Sequence, residues 1–251
     1  MNGEMPQIRL NKALATAGIC SRRKADALIR AGAVTVNGVV ILEPGLRVNP
    51  LSDKLRVHGR SVAPPPDEKT AAYTYLMLHK PVRVVSTAGD PQGRPCVLDY
   101  LPEEFRKKRL YPVGRLDFFS EGLILLTDDG SLTYALTHPG RRVPKLYRLT
   151  VRETPTPEML ARMRSGMTLS EGDKLLPAEV ELVGAHTLTV VLRQGLNRQI
   201  RRMCRDSGLT VLRLQRTGLG PLKLGDLPKG RCRPLSREEV SALHRAAGTA
   251  S

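Results

Sequence analysis

Three groups of residues in this chain have the types and spacing to do chemistry. The first is Gly114-Arg115-Leu116-Asp117, followed by Ser120-Glu121-Gly122 and the apolar run Leu123–Leu126. It sets a carboxylate in a turn segment, directly after an arginine and just ahead of a strand that reads as buried. Such a group suits work in its ionised form, although an Asp before a strand is more often a turn or capping residue. The second group is Gly195-Leu196-Asn197-Arg198-Gln199-Ile200-Arg201-Arg202-Met203-Cys204-Arg205. On a helix Arg198, Arg201, Arg202 and Arg205 fall at i, i+3, i+4 and i+7, one basic face opposite Ile200, Met203 and Cys204. Like charges on one stripe repel unless an anion answers them, and RNA phosphate or a buried carboxylate would serve. The third is Arg22-Arg23-Lys24, in the first turn of a helix that Ser21 can cap. Cations there oppose the helix dipole, and a bound phosphate would reverse that sign; the plain alternative is a solvated charged face.

The elements that must position these groups fall into two sets. Asn11 to Ala17 reads as a helix with Gly18 at its end, and Ser21 opens a second that runs to Ala31 and stops at Gly32. Val34, Val36, the turn Asn37-Gly38 and Val39 to Leu42 predict a tight hairpin, with a further strand at Leu55 and Val57. Ala63-Pro64-Pro65-Pro66 and the polar run Asp67 to Thr70 read as a stiff linker. Beyond it, strands are expected at Tyr75 to Leu78, Gly122 to Thr127, Tyr147 to Val151, Glu179 to Val183 and Thr187 to Leu192. Helices are expected from Thr156-Pro157 through Arg164 and from near Asn197 to before Gly208. Asp128-Asp129-Gly130 reads as a plain turn. The irregular order gives an α+β class, with a small domain at 8–62, a Pro-rich linker at 63–72 and a mixed, mainly antiparallel sheet domain at 73–245.

Bulk charge narrows the partners. Forty Lys and Arg against 24 Asp and Glu give a formal charge of +16 and a pI near 10.2, so the surface should meet polyanions. No apolar run is long enough to span a membrane and Met1 to Gln7 lacks the parts of a secretory signal, so a cytoplasmic protein with no membrane partner is expected. Cys20, Cys96, Cys204 and Cys232 lie far apart, with no histidine at ligand spacing, so neither disulfide nor metal is expected. No Gly-rich nucleotide fingerprint is present either, and no cofactor is expected.

Helix, Ser21-Arg22-Arg23, second helix and Val34-x-Val36-Asn37-Gly38 hairpin together resemble the alpha-L RNA-binding domain of ribosomal protein S-four, over about residues 8 to 62. That resemblance implies a phosphate-facing role for Arg22, Arg23 and Lys24. Gly114 to Gly122, Lys145-Leu146-Tyr147 and Gly195 to Met203, in that order, resemble the RsuA-type pseudouridine synthases of bacterial ribosomal RNA. Gln194 departs from that family's pattern, where Glu is common.

The resemblance implies isomerisation of uridine in ribosomal RNA, without cofactor or metal. Asp117 would be the essential carboxylate, either attacking the nucleotide or assisting removal of a ribose proton. Arg201 would be the cation that keeps it ionised, since an opposite charge nearby favours the charged form. Tyr147 would stack on the base and help exchange the proton at ring carbon five; its plain alternative is a core tyrosine. Arg115 would fill the gap left by an extruded uridine, and Lys145, Arg198, Arg202 and Arg205 would meet RNA. Ser21-Arg22-Arg23-Lys24 leans toward large-subunit members, and a monomer is the expected state. The competing class is a non-catalytic ribosome-associated RNA binder in which Asp117 is structural. An RNA-cleaving or methylating enzyme finds neither a histidine pair nor a cofactor loop here.

Overall fold

Helix and hairpin boundaries in the amino-terminal part follow its caps and turns. The computed structural model describes residues 7–64 and 73–249, and the chain divides into two units, Met1–Ala72 and Tyr73–Ser251. Pro65 to Ala72, most of the expected linker, lies outside the described residues. The first unit runs β1 (Ile8–Arg9), α1 (Leu10–Thr16), α2 (Arg22–Arg30), β2 (Val34–Val36), β3 (Val39–Val40), β4 (Arg47–Val48), β5 (Leu55–Val57) and β6 (Arg60–Ser61). Ser21 caps α2 by accepting from the Lys24 N–H at 3.2 Å, as its residue type requires. Asn37 and Gly38 take φ of 52° and 88°, the two positive values a tight hairpin turn needs. Leu10, Leu14, Ala25, Ile29, Val34 and Val57 fill the core between the helices and the sheet β3-β2-β5-β6.

The second unit comprises β7 (Tyr75–Lys80), β8 (Tyr111–Pro112), β9 (Glu121–Thr127), α3 (Gly130–Thr137), β10 (Lys145–Val151), α4 (Pro157–Arg164), β11 (Glu179–Gly184), β12 (Thr187–Leu192), α5 (Gln199–Asp206), β13 (Val211–Leu219), β14 (Leu222–Lys223), β15 (Cys232–Pro234) and α6 (Arg237–Ala247). Its sheet is ordered β11-β12-β10-β13-β9-β7-β15, with β8 on β9 and β14 on β13. Every pair is antiparallel except β9 with β13, which run parallel through Glu121 opposite Gln215 and Gly122 opposite Arg216. Gly122 sits at φ 111°, and a Cβ there would overlap the Arg216 backbone, so this junction accepts only glycine.

Strand β9 is buried on both faces. Leu123 and Leu125 pack with Leu132 of α3 and Leu243 of α6, while Ile124 and Leu126 pack with Leu76, Leu78 and Leu116. A third core joins β10 and β12 to α4 and α5 through Leu149, Val190, Met163 and Met203. Three expectations need correcting here. Strand β7 continues to Lys80, two residues past Leu78. Asp128-Asp129-Gly130 is more than a turn, because buried Asp129 accepts from the Leu132 N–H at 2.8 Å and caps α3. Helix α5 opens only at Gln199, since Arg198 takes a left-handed φ of 49°.

Candidate active site

Asp117 lies in the loop that leads from β8 into β9. Its neighbour Leu116 is 6% exposed within the β7/β9 core, and burying that side chain contributes about 1.5–3 kcal/mol to fixing the loop. Ser86 Oγ donates to the Leu116 carbonyl at 2.8 Å and accepts from its N–H at 3.0 Å. The next four carbonyls are all held. Lys80 Nζ donates to those of Asp117 at 3.2 Å and Ser120 at 2.7 Å, and also to Pro81 at 2.9 Å. The Arg83 N–H donates to Phe118 at 2.6 Å, and Arg201 Nη2 to Phe119 at 2.7 Å. The Ser120 N–H closes the turn onto Asp117 at 3.0 Å. Backbone so constrained fixes the position of the carboxylate, which itself stays partly open to solvent, 29% exposed.

Lys80 is the residue that the sequence reading missed. Its side chain is fully buried, and burial pushes the amine down to about 8, against the pull of the Asp117 charge and with a smaller push from Arg216. A lysine this enclosed is tolerated because carbonyl oxygens replace its water. The signal was present: His79-Lys80 continues without a break a strand whose preceding residues, Leu76 to Leu78, are apolar and buried.

Arg201 stands elsewhere than expected. Its guanidinium spans the Phe119 carbonyl and, at 3.3 Å, the Val211 carbonyl. It feels the Asp117 charge electrostatically, although burial and Arg198 weigh more heavily and lower its affinity for a proton. The cation within ion-pair distance of Asp117 is Arg198, Nη1 to Oδ2 4.0 Å, brought there by its left-handed turn ahead of α5. Arg202 and Arg205 do not reach the site. Arg202 binds Glu171 at 3.1 Å and Asp173 at 2.6 Å, and Arg205 binds Glu171 at 2.7 Å and Asp206 at 2.8 Å. Arg205, foremost, holds Glu171 down to about 2. Of the two answers to the basic stripe, carboxylates of the chain itself are the one found for this half. Glu171 and Asp173 come from a loop some thirty residues upstream, which helical spacing cannot reveal, and Asp206 ends α5 itself.

A cleft opens over Asp117, lined also by Arg115, Tyr147, Arg198, Ile200 and Leu214. Tyr147 sits on β10 between Val190 and Arg216 and packs partly buried against two cores, so it is both a core residue and a wall of the cleft. Lys145, two residues earlier, donates to the Val143 carbonyl at 3.3 Å, and burial followed by Arg216 lowers its proton affinity. Arg115 is exposed at the rim. Among the described residues, the buried side-chain polar atoms without a partner are Ser120 Oγ, Arg201 Nε and Arg216 Nη2; Ser120 and Arg201 belong to the Asp117 surroundings. Arg22, Arg23 and Lys24 lie exposed on the first unit, where Arg22 Nη2 donates to Asn11 Oδ1 at 3.3 Å. No group of three His, Cys, Asp or Glu able to hold a metal occurs among the described residues, and no helix among them is long and apolar enough to cross a membrane.

Comparison with known proteins places the same two parts. Residues 74–206 match the family model described as RNA pseudouridylate synthase, and residues 8–53 match the S4 domain. An uncharacterized RNA pseudouridine synthase of Mycobacterium bovis is 40% identical over 246 residues, covering 96% of this chain and 94% of the relative. The ribosomal large subunit pseudouridine synthase B of Bacillus subtilis is 37% identical over 245 residues, covering 95% and 96%. A crystal structure of a pseudouridylate synthase superposes with a TM-score of 0.68 at 26% identity, over 94% of this chain and 99% of that one.

Proposed function

The chain belongs to the RNA pseudouridylate synthase family, and from that premise we propose that it isomerises a uridine of large-subunit ribosomal RNA, with Asp117 as the catalytic carboxylate. The reaction breaks the bond from ribose C1′ to uracil N1, turns the ring, and joins C1′ to C5; the C5 proton leaves and N1 gains one, so no atom is added overall. The observation that carries the assignment is the loop around Asp117, whose four consecutive carbonyls are each held by a donor while the carboxylate faces an open cleft. Preorganisation of this kind keeps a reacting group in place at no cost during the reaction.

Asp117 works ionised, whether it attacks the nucleotide or assists removal of a ribose proton. Arg198 supplies the near positive charge, and Arg201 acts through the Phe119 carbonyl as a positioning residue. Tyr147 lays its ring along the base, and Arg115 at the rim fills the space an extruded uridine leaves. Lys145 supports the wall beneath. Residues 8–62 form the RNA-docking domain through Arg22, Arg23 and Lys24, joined by the 63–72 linker to a catalytic domain over 73–245. The charge of +16 supports structured or partly assembled ribosomal RNA as the partner of this enzyme, which we take to be monomeric and cytoplasmic. The large-subunit assignment leans on the Bacillus subtilis relative's name and on Ser21-Arg22-Arg23-Lys24.

Sequencing both ribosomal RNAs of a deletion strain after carbodiimide marking of pseudouridine tests the proposal. One uridine of the large-subunit RNA should lose its mark, regain it with the wild-type gene and stay unmarked with Asp117→Asn. An unchanged map, or restoration by Asp117→Asn, overturns it.

A further inference from the structure

The turn that carries Asp117 has aromatic residues where turn chemistry has no use for them. Asp117 to Ser120 form a four-residue turn closed by the Ser120 N–H on the Asp117 carbonyl, and its two central positions are Phe118 and Phe119. Such positions favour Gly, Pro, Asn, Asp and Ser, each for a backbone reason that phenylalanine does not share. The chain has only three Phe and no Trp, yet two of the three stand here. Phe119 is 57% exposed, so its ring contributes little to a core. Phe118, half-buried, meets it edge-on, with ring centroids 5.1 Å apart and planes at 83°.

The exposed ring is also held in place. The Phe118 and Phe119 carbonyls accept from the Arg83 N–H and Arg201 Nη2, and the carbonyls on either side accept from Lys80. With the backbone fixed and the Phe118 edge against it, Phe119 retains little freedom to lose on binding. Cations border this stretch: Arg198 has its side chain 48% exposed, and Arg213 and Lys229, 58% and 48% exposed, both bridge the Glu121 carboxylate at 2.6 Å. Leu212, 56% exposed, follows Val211, whose carbonyl shares the Arg201 guanidinium with that of Phe119. The surface therefore combines a fixed aromatic face with positive charge.

We propose that Phe119 is a stacking platform for the nucleobase next to the target uridine. The inference rests on the RNA-modifying reading above. Two residues span at most about 7 Å of chain, so the ring stands within a neighbouring nucleotide's reach of the Asp117 carboxylate. Extruding a uridine strips its neighbour of one stacking face, and an aromatic ring restores that contact for any base, because every base has a π-face. Arg213 and Lys229 share the single Glu121 charge, which leaves a net positive surface for the phosphates on either side of that base. A protein partner fits less well, since the apolar area is one or two side chains within a basic field.

The test uses the full-length protein with an in vitro transcript of large-subunit ribosomal RNA labelled with tritium at uridine C5. Binding across a salt series and tritium release are measured for wild type, Phe119→Ala, Phe119→Leu and Phe119→Tyr. Stacking is not a phosphate contact, so Phe119→Ala and Phe119→Leu should give lines of log affinity against log salt parallel to wild type but displaced by about 5- to 150-fold, the cost of one lost base–aromatic stack. Phe119→Tyr should keep the wild-type line. Tritium release should show the loss in KM more than in kcat, with melting temperatures unchanged. Coincident lines for wild type and Phe119→Ala overturn the proposal, as does a Phe119→Leu line on that of wild type, which would show a merely apolar contact. If wild type releases no tritium, the large-subunit isomerase reading falls, while displaced parallel binding lines still support stacking and coincident ones still refute it.

Discussion

Two arginine-rich helix ends in this molecule carry the same side-chain types into opposite surroundings. At the start of α2, Arg22, Arg23 and Lys24 are exposed in a first turn that holds no acid, and the partner of Arg22 is the neutral Asn11. Along α5, Arg202 and Arg205 are taken up by Glu171, Asp173 and Asp206, and Arg201 by two backbone carbonyls. Cations already satisfied internally fix structure, whereas those facing water opposite a helix dipole are available to phosphate. Charge counted along a sequence cannot separate these cases. The comparison predicts that inward cations act on rate or stability and outward ones on salt-dependent affinity.

The largest effect belongs to the carboxylate whose loop Arg201 and Lys80 hold. Asp117→Asn removes only the ionised oxygen, so pseudouridine formation should be abolished while RNA affinity stays within a few-fold. Single-turnover tritium release checks this, and turnover near wild type would remove Asp117 from the mechanism.

Lys80→Met comes next. It deletes the donor to three carbonyls, and loosening of the Asp117 loop should cost on the order of 100-fold in rate, with no change in the salt slope of binding. The pH dependence gives a sharper reading. In the folded state burial brings Lys80 down to about 8 from its ordinary 10.5, so between those values the unfolded chain binds more protons than the native one. Stability should therefore rise with pH across that window, by up to the order of 3 kcal/mol. Activity should fall over the same range, because a neutral amine has only two protons for three carbonyls. Chemical denaturation and rate profiles of wild type against Lys80→Met, which should lack the Lys80 part of both trends, test the pair of opposite signs.

Much of this was legible in the residues. The Asn37-Gly38 turn, the Thr156-Pro157 start of α4 and the strand Thr187–Leu192 follow from local rules and stand where those rules put them. The Ser236 and Glu239 capping box of α6 was equally local and went unread. What local rules cannot supply is partnership at a distance. Asp129 looks like a turn residue until the Tyr75 hydroxyl, 54 positions away, is found donating to it at 2.8 Å. Glu171 and Asp173, which claim Arg202 and share Arg205, lie on another loop, and the role of Arg201 depends on a carbonyl 82 positions away. Motif matching pointed to Asp117 and to Arg201 beside it, and the arginine within ion-pair distance of that carboxylate is Arg198.

A smaller effect should come from Arg202→Ala. Its two acids are nearly half exposed, so solvent screening keeps the loss of stability small. Melting should shift downward and the salt slope of RNA binding should not move. A slope reduced by roughly 0.7 to 0.9 would mean that Arg202 leaves its acids for a phosphate, and the contrast between the two helices would collapse.

Arg22, Arg23 and Lys24, replaced together by alanine, should give the smallest effect on the folded protein and the most direct test of the outward cluster. Each cation in that first turn opposes the helix dipole by some tenths of a kcal/mol, and none supports a core, so stability should hold or rise slightly. Affinity should move the other way. Each lost phosphate contact lowers the slope of log affinity against log salt by roughly 0.7 to 0.9, and three contacts would lower it by about 2 to 3. The rate at saturating RNA should not change, because Asp117 and its clamp lie in the other unit. A salt series with the ribosomal transcript, read beside a melting curve, separates the outcomes. Weaker binding with unchanged stability and a shallower slope places phosphate on α2, while an unchanged slope would return these three residues to the role of a solvated face.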